Sequence, residues 1–183
     1  MGHFEGRLTF RLSIAACYPS RMVQKTQQHR VKVPRRGGHS TQWAAQFAVA
    51  SELCKRGYEV SFTMGNSTPL ADLMVVSPVQ HEMFLVDVKG LKENNVWVVR
   101  RKTLRKQLFY IFALVPTGGS NRFVIMTQEQ VHRILGDKLR RKLRRMSPGR
   151  RKASKKRLRK LEGVGSKSKA VLPYEDKWQV LPK

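Results

Sequence analysis

Six short β-type runs between residues 58 and 126, framed by a helical pattern on each side, leave this chain few folds to choose from. Tyr58-Glu-Val-Ser-Phe-Thr-Met64 alternates with the period of two of a half-buried strand, and Gly65-Asn-Ser-Thr-Pro69 breaks it. Ala71–Ser77, Met83–Gly90, Val96–Arg100, Leu108–Val115 and Arg122–Met126 follow, with Lys92-Glu-Asn-Asn95 as one polar turn among them. Ahead of the runs, Ser40 reads as an N-cap, and Trp43, Phe47, Ala50 and Cys54 recur at helical spacing up to Gly57. Behind them, Thr127-Gln-Glu-Gln130 has the form of a capping box, which opens a second helix. The expected class is α/β: a helix, then a mixed β-sheet, then flanking helices, in one domain over residues 40–137.

Charge divides the chain differently. Residues 1–40 hold eight Lys/Arg and one acid, and residues 41–137 hold eleven against eight. Residues 138–160 hold fourteen and no acid, and the last 23 residues hold four against three. A domain of ordinary balance thus sits between a basic arm (1–39, expected to be flexible) and a highly basic helix and tail segment (138–162). The remainder, 163–183, reads as a C-terminal tail that packs on the domain. A net charge of +25 implies a polyanionic partner, nucleic acid first and an acidic membrane surface second.

Other classes are disfavoured by what the chain lacks. The longest apolar run, Leu108 to Pro116, is too short to span a bilayer, so no transmembrane segment is expected. The arm has no long apolar stretch of the secretory kind. It is Arg-rich and acid-poor like a transit peptide, and Met22 offers a second start. Cys17 and Cys54 cannot make a disulfide scaffold, which points to a reducing, cytoplasmic setting. The five histidines show no metal-ligand spacing. Gly163-Val-Gly-Ser-Lys-Ser168 lacks the glycine and the preceding strand of a phosphate loop. The stretch Leu161–Leu172 resembles the hairpin of a helix–hairpin–helix motif only until Pro173 cuts it off.

The unusual feature is polar. In Met83-Phe-Leu-Val-Asp-Val-Lys-Gly90 an apolar strand ends in Asp87-Val-Lys89, whose acid and amine share one face of the strand. Asp72 opens the strand before it. Phosphodiester hydrolysis needs carboxylates to hold a divalent cation and positive charge near the phosphorane, and these three residues supply both. Spacing alone is weak support, because Glu175-Asp-Lys177 repeats the acid-x-Lys triple in a polar tail.

The order of helix, strand, Asp-opened strand and Asp-x-Lys strand resembles the PD-(D/E)xK nuclease superfamily, which includes restriction endonucleases and Holliday-junction resolvases. The likeness covers about residues 40–130, and Leu172-Pro-Tyr-Glu-Asp-Lys-Trp178 looks like the ending of an uncharacterised bacterial branch. It implies a restriction-endonuclease-like core. It further implies Mg²⁺ (or Mn²⁺) on Asp72, Asp87 and the Val88 carbonyl, and a lysine, Lys89, that orients or activates the attacking water. One departure matters: where the family places a glutamate on the first helix, this chain has Gln46, which brings an oxygen but no charge. Glu52, roughly 240° around the helix, is not an easy substitute.

Plainer readings of the same residues stand beside these. Asp72 as a strand cap with Asp87–Lys89 as a sheet-edge ion pair needs no chemistry, and Gln46 also fits a solvated helix surface. Gln107 reads as a turn or helix-surface residue rather than a phosphate contact. Trp43, Phe47 and Tyr110 read as core. In the basic segment Leu135, Leu139, Leu143 and Met146 give a helix one apolar face, and Pro148-Gly149 stops it. Lys138, Arg140, Arg141, Lys142, Arg144, Arg145, Arg150 and Arg151 are the expected phosphate-backbone contacts. The leading expectation is a DNA endonuclease. Its rivals are a catalytically degenerate binder of the same fold and a membrane-surface protein using the 129–146 helix. A homodimer is left open.

Overall fold

The structure, a computed structural model, describes residues 37–63, 70–149 and 162–183. The basic arm before residue 37, including the second start at Met22, lies outside them, as do Arg150 and Arg151.

The described residues form a mixed α/β fold. Helix α1 (Gly37–Lys55) precedes strands β1 (Glu59–Phe62), β2 (Leu73–Val76), β3 (Met83–Leu91), β4 (Val96–Val99), β5 (Leu108–Leu114) and β6 (Arg122–Thr127). Helix α2 (Gln128–Arg144) and a short strand β7 (Glu162–Gly165) follow, and two 3₁₀ turns close the chain. One sheet has the order β1-β2-β3-β5-β6, and β4 pairs with β7 in a second. β3 and β5 run parallel, while every other neighbouring pair is antiparallel.

The two faces of the large sheet carry different loads. Val86 and Val88 of β3 join Leu73, Val75, Ile111, Ala113 and Ile125 under Ala45, Val49 and Leu53 of α1. The opposite face sets Tyr110, Phe112, Val124 and Met126 against Val131 and Leu135 of α2, with Trp97 and Val99 of β4 closing the layer. Residues of β3 alternate between these cores, so Asp87 and Lys89 belong to the α2 side.

Helix α1 departs from its sequence pattern in two ways. It begins at Gly37, which puts Ser40 inside the first turn rather than at the cap. The stripe that meets the sheet is Ala45–Val49–Leu53; Phe47 is 58% exposed, Trp43 half-buried and Cys54 exposed. Close packing is the reason. A side chain at Gly90 of β3 would meet the Ala45 Cβ at 2.7 Å and the Thr41 carbonyl at 2.9 Å, so the helix lies too near for large residues there. The aromatic pair is displaced to one side, where Phe47 stacks on Trp43 and meets Phe62 of β1.

Helix α2 opens as its sequence implies. Thr127 Oγ1 accepts from the Gln130 N–H and Gln130 Oε1 accepts from the Thr127 N–H, a complete capping box. The helix ends at Arg144, one turn before Pro148. Leu135 is buried, but Leu139, Leu143 and Met146 are only half-buried. Its last two turns therefore reach beyond the core.

The C-terminal residues pack on the domain. Val171, Trp178 and Leu181 are buried, Trp178 lies against Phe123, and Glu175 takes two hydrogen bonds from Arg122. Among the described residues no helix is long and apolar enough to cross a membrane.

Candidate active site

The site lies where β3 loses a neighbour. β2 pairs with β3 only as far as Leu73↔Val86, and Asp72, one residue earlier, donates its N–H to the Val86 carbonyl at 2.9 Å. Beyond that point no strand among the described residues lies beside the outer edge of β3, and its polar groups need partners. Side chains supply them. The Val88 N–H donates to Asp72 Oδ2 at 2.8 Å, Gln42 Nε2 donates to the Val88 carbonyl at 2.8 Å, and the Gly90 N–H donates to Gln42 Oε1 at 3.1 Å. One turn further along α1, Gln46 Nε2 donates to Asp72 Oδ1 at 2.8 Å.

Asp87 is buried on the α2 side of the strand, its side chain only 2% exposed. Two lysines hold it. Lys89 Nζ stands 2.5 Å from Asp87 Oδ1, while Lys102 Nζ contacts Oδ2 and donates to the Leu70 carbonyl at 2.5 Å. Lys102 comes from the loop between β4 and β5, and Gln128 of α2 fixes that loop. The Gln128 amide, itself buried, donates to the carbonyls of Lys102 and Thr103 and accepts from the Arg105 N–H at 2.7 Å.

The two carboxyls feel one another. Burial, and then the charge of Asp87, push the Asp72 carboxyl up to about 6; the Lys89 charge and the Val88 N–H hold it from rising further. Asp72 and Asp87 are also close enough to hydrogen-bond when one carries a proton. Tyr110, opposite Asp87 on β5, is buried, and its phenol is pushed up by that burial and by the Asp87 charge.

Asp72, Asp87, Lys89, Gln46 and the Val88 backbone, all anticipated from sequence, are thus brought together. Three further residues of the cluster, Lys102, Gln42 and Gln128, were not. Gln42 had a usable signal, since it lies four residues before Gln46 on the same helical face. Lys102 had none, because only the fold of its loop carries it to Asp87.

The predicted phosphate contacts lie elsewhere, on the last turns of α2. Lys138, Arg141, Lys142, Arg145 and Met146 line one hollow, and Arg140 and Arg144 are exposed beside them. Two of these have protein partners: Lys138 donates to the Gly163 carbonyl at 2.7 Å, and Arg140 pairs with Asp137. Glu52 pairs with Lys55 and Arg56 rather than with the site. Gln107 is an exposed turn residue whose backbone carbonyl accepts from the Leu85 N–H.

The donors present suit a hard divalent cation. Asp72, Asp87 and the second lone pair of the Val88 carbonyl are oxygens of the kind Mg²⁺ prefers. Turning the Gln46 amide by half a rotation would present Oε1 to the same place. Among the described residues no three His, Cys, Asp or Glu side chains gather, so the carboxylate count stops at two. Compared with protein-family models, curated proteins and solved structures, the chain gives no match.

Proposed function

We propose that this chain binds nucleic acid, DNA foremost, and hydrolyses phosphodiester bonds at Asp72, Asp87 and Lys89 with a divalent cation. The observation that carries the reading is the convergence of Asp72, Asp87, Lys89 and Gln46 at the open edge of β3. The order of elements supports it too, since α1, a β1–β2–β3 meander and β5 parallel to β3 suit a restriction-endonuclease-like core.

Asp72 and Asp87, with the Val88 carbonyl, would hold Mg²⁺ or Mn²⁺, which supplies a more acidic bound water and charge neutralisation at phosphate. The remaining groups have roles in the protein itself. Lys89, 27% exposed while Asp87 is not, sets an ammonium at the edge of the site where phosphate charge is met. Gln42 and Gln46 tie α1 to β3 and Asp72, which fixes the carboxylates in place. The basic turns of α2 would hold the backbone of the duplex without reading its sequence.

Two observations favour a second reading, a binder that retains the fold without catalysis. Gln46 brings no charge, and Lys102 already neutralises Asp87. Cleavage of labelled duplex DNA decides between them. With Mg²⁺ or Mn²⁺ the wild type should cut, and Asp87→Asn should lower the rate by about 100-fold or more while DNA binding is retained. Gln46→Glu should raise the rate, most visibly at low Mg²⁺. A wild type and a Gln46→Glu variant that both bind DNA but cut with neither ion would leave the binder reading alone.

A further inference from the structure

The α2 turns are not the basic surface nearest the acids. Arg100-Arg-Lys-Thr-Leu-Arg-Lys106, the loop between β4 and β5, holds five cations in seven residues and no acid. It contributes five of the eleven Lys/Arg between residues 41 and 137, a stretch otherwise close to charge balance. Arg100, Arg105 and Lys106 are exposed. A solvated loop of this charge would normally move freely, and like charges would spread it apart.

This loop is held instead. Gln128, 1% exposed, grips it at three backbone atoms: the carbonyls of Lys102 and Thr103 and the N–H of Arg105. Lys102 turns inward and reaches both Asp87 and the Leu70 carbonyl. A buried polar side chain spent on a loop backbone is the mark of a segment whose conformation matters. Here it fixes the backbone of a loop that carries the exposed cations, and Lys102 ties the same loop to Asp87.

We infer that Arg100, Arg105 and Lys106 form a pre-set phosphate grip that seats the nucleic-acid backbone beside Asp72 and Asp87. The inference rests on the nucleic-acid reading above and deepens it. It assigns the phosphates nearest the scissile bond to this loop, and leaves the more distant ones to α2.

The test is a salt titration of duplex DNA binding by the full chain, in EDTA so that cleavage plays no part. The triple variant Arg100→Gln/Arg105→Gln/Lys106→Gln should bind more weakly. Its slope of log Kd against log salt should fall by about 2 to 3, near 0.9 for each phosphate that the loop no longer neutralises. The charge-keeping variant Arg100→Lys/Arg105→Lys should hold the wild-type slope, and both should unfold at the wild-type temperature. An unchanged slope in the triple variant would overturn the inference while leaving the nucleic-acid reading intact. The same fall in the charge-keeping variant would assign the effect to disturbed structure and overturn it as well. A wild type that does not bind DNA, or prefers phosphatidylserine vesicles, would remove both the inference and the reading beneath it.

Discussion

Asp87-Val-Lys89 and Glu175-Asp-Lys177 are the same pattern in sequence and opposite things in space. On β3 the extended backbone turns Asp87 and Lys89 to one face, 2.5 Å apart, inside a core that leaves the acid 2% exposed. In the tail Asp176 takes φ 51°, the alternation breaks, and Glu175 turns to Arg122, fifty-three residues earlier. That pair remains partly exposed, with side chains at 36% and 29%. The spacing of charges therefore decides little. A strand that buries one end of the pair, with a second lysine brought by another loop, makes a constellation; a turn at the surface makes a salt bridge.

Removing each acid should expose the difference. Asp87→Ala leaves Lys89 and Lys102, which are only partly exposed, without the acid they share, and should cost about 3 kcal/mol, the low end for a broken buried pair. Glu175→Ala leaves Arg122 free to find water, and should cost about 1 kcal/mol or less. Urea unfolding at pH 7 measures both. Equal costs would mean that Asp87 is as well solvated as Glu175, and the contrast would collapse.

Acid titration sharpens the comparison further, because the two regions should respond in opposite directions. The folded protein holds a proton on Asp72 more tightly than an ordinary carboxyl at 3.8 does, with its carboxyl at about 6. Its contribution is therefore fully present below pH 3.8 and lost as pH rises through 6. In metal-free protein that loss should amount to about 1 to 2 kcal/mol after solvent screening, and Asp72→Asn should abolish it. Glu175 is held below its ordinary 4.5, chiefly by hydrogen bonds from Arg122. Its smaller contribution is present above pH 4.5 and lost as pH falls through the lowered value. Glu175→Gln should flatten only that acid limb. Unfolding temperatures from acid to mildly basic pH would show both slopes, and a slope of the wrong sign for Asp72 would mean that its carboxyl is neither buried as described nor crowded by Asp87.

Much of this was legible in the residues. β3 declared itself because its apolar run is long and its two polar residues fall on one face. The capping box declared α2 because its side-chain bonds are local, between Thr127 and Gln130. What could not be read depends on residues distant in sequence. Phe47 is exposed because Gly90 lets α1 sit too close for an aromatic ring, a fact held jointly by a helix and a strand far apart along the chain. Lys102 is part of the cluster because Gln128 shapes its loop, and no periodicity links them. The end of α2 just before Pro148 was legible too, but that Leu139 and Leu143 would be only half-buried, past the core at Leu135, was not.

The central claim is that Asp72 and Asp87 together make a place for a divalent cation despite Gln46 and Lys102. Direct binding of Mn²⁺ to the full chain, followed by electron paramagnetic resonance or calorimetry without nucleic acid, tests it most simply. The wild type should show one site, Asp87→Asn should lose it, and Gln46→Glu should tighten it. A wild type that binds no Mn²⁺, or a site indifferent to Asp87→Asn, would contradict the claim.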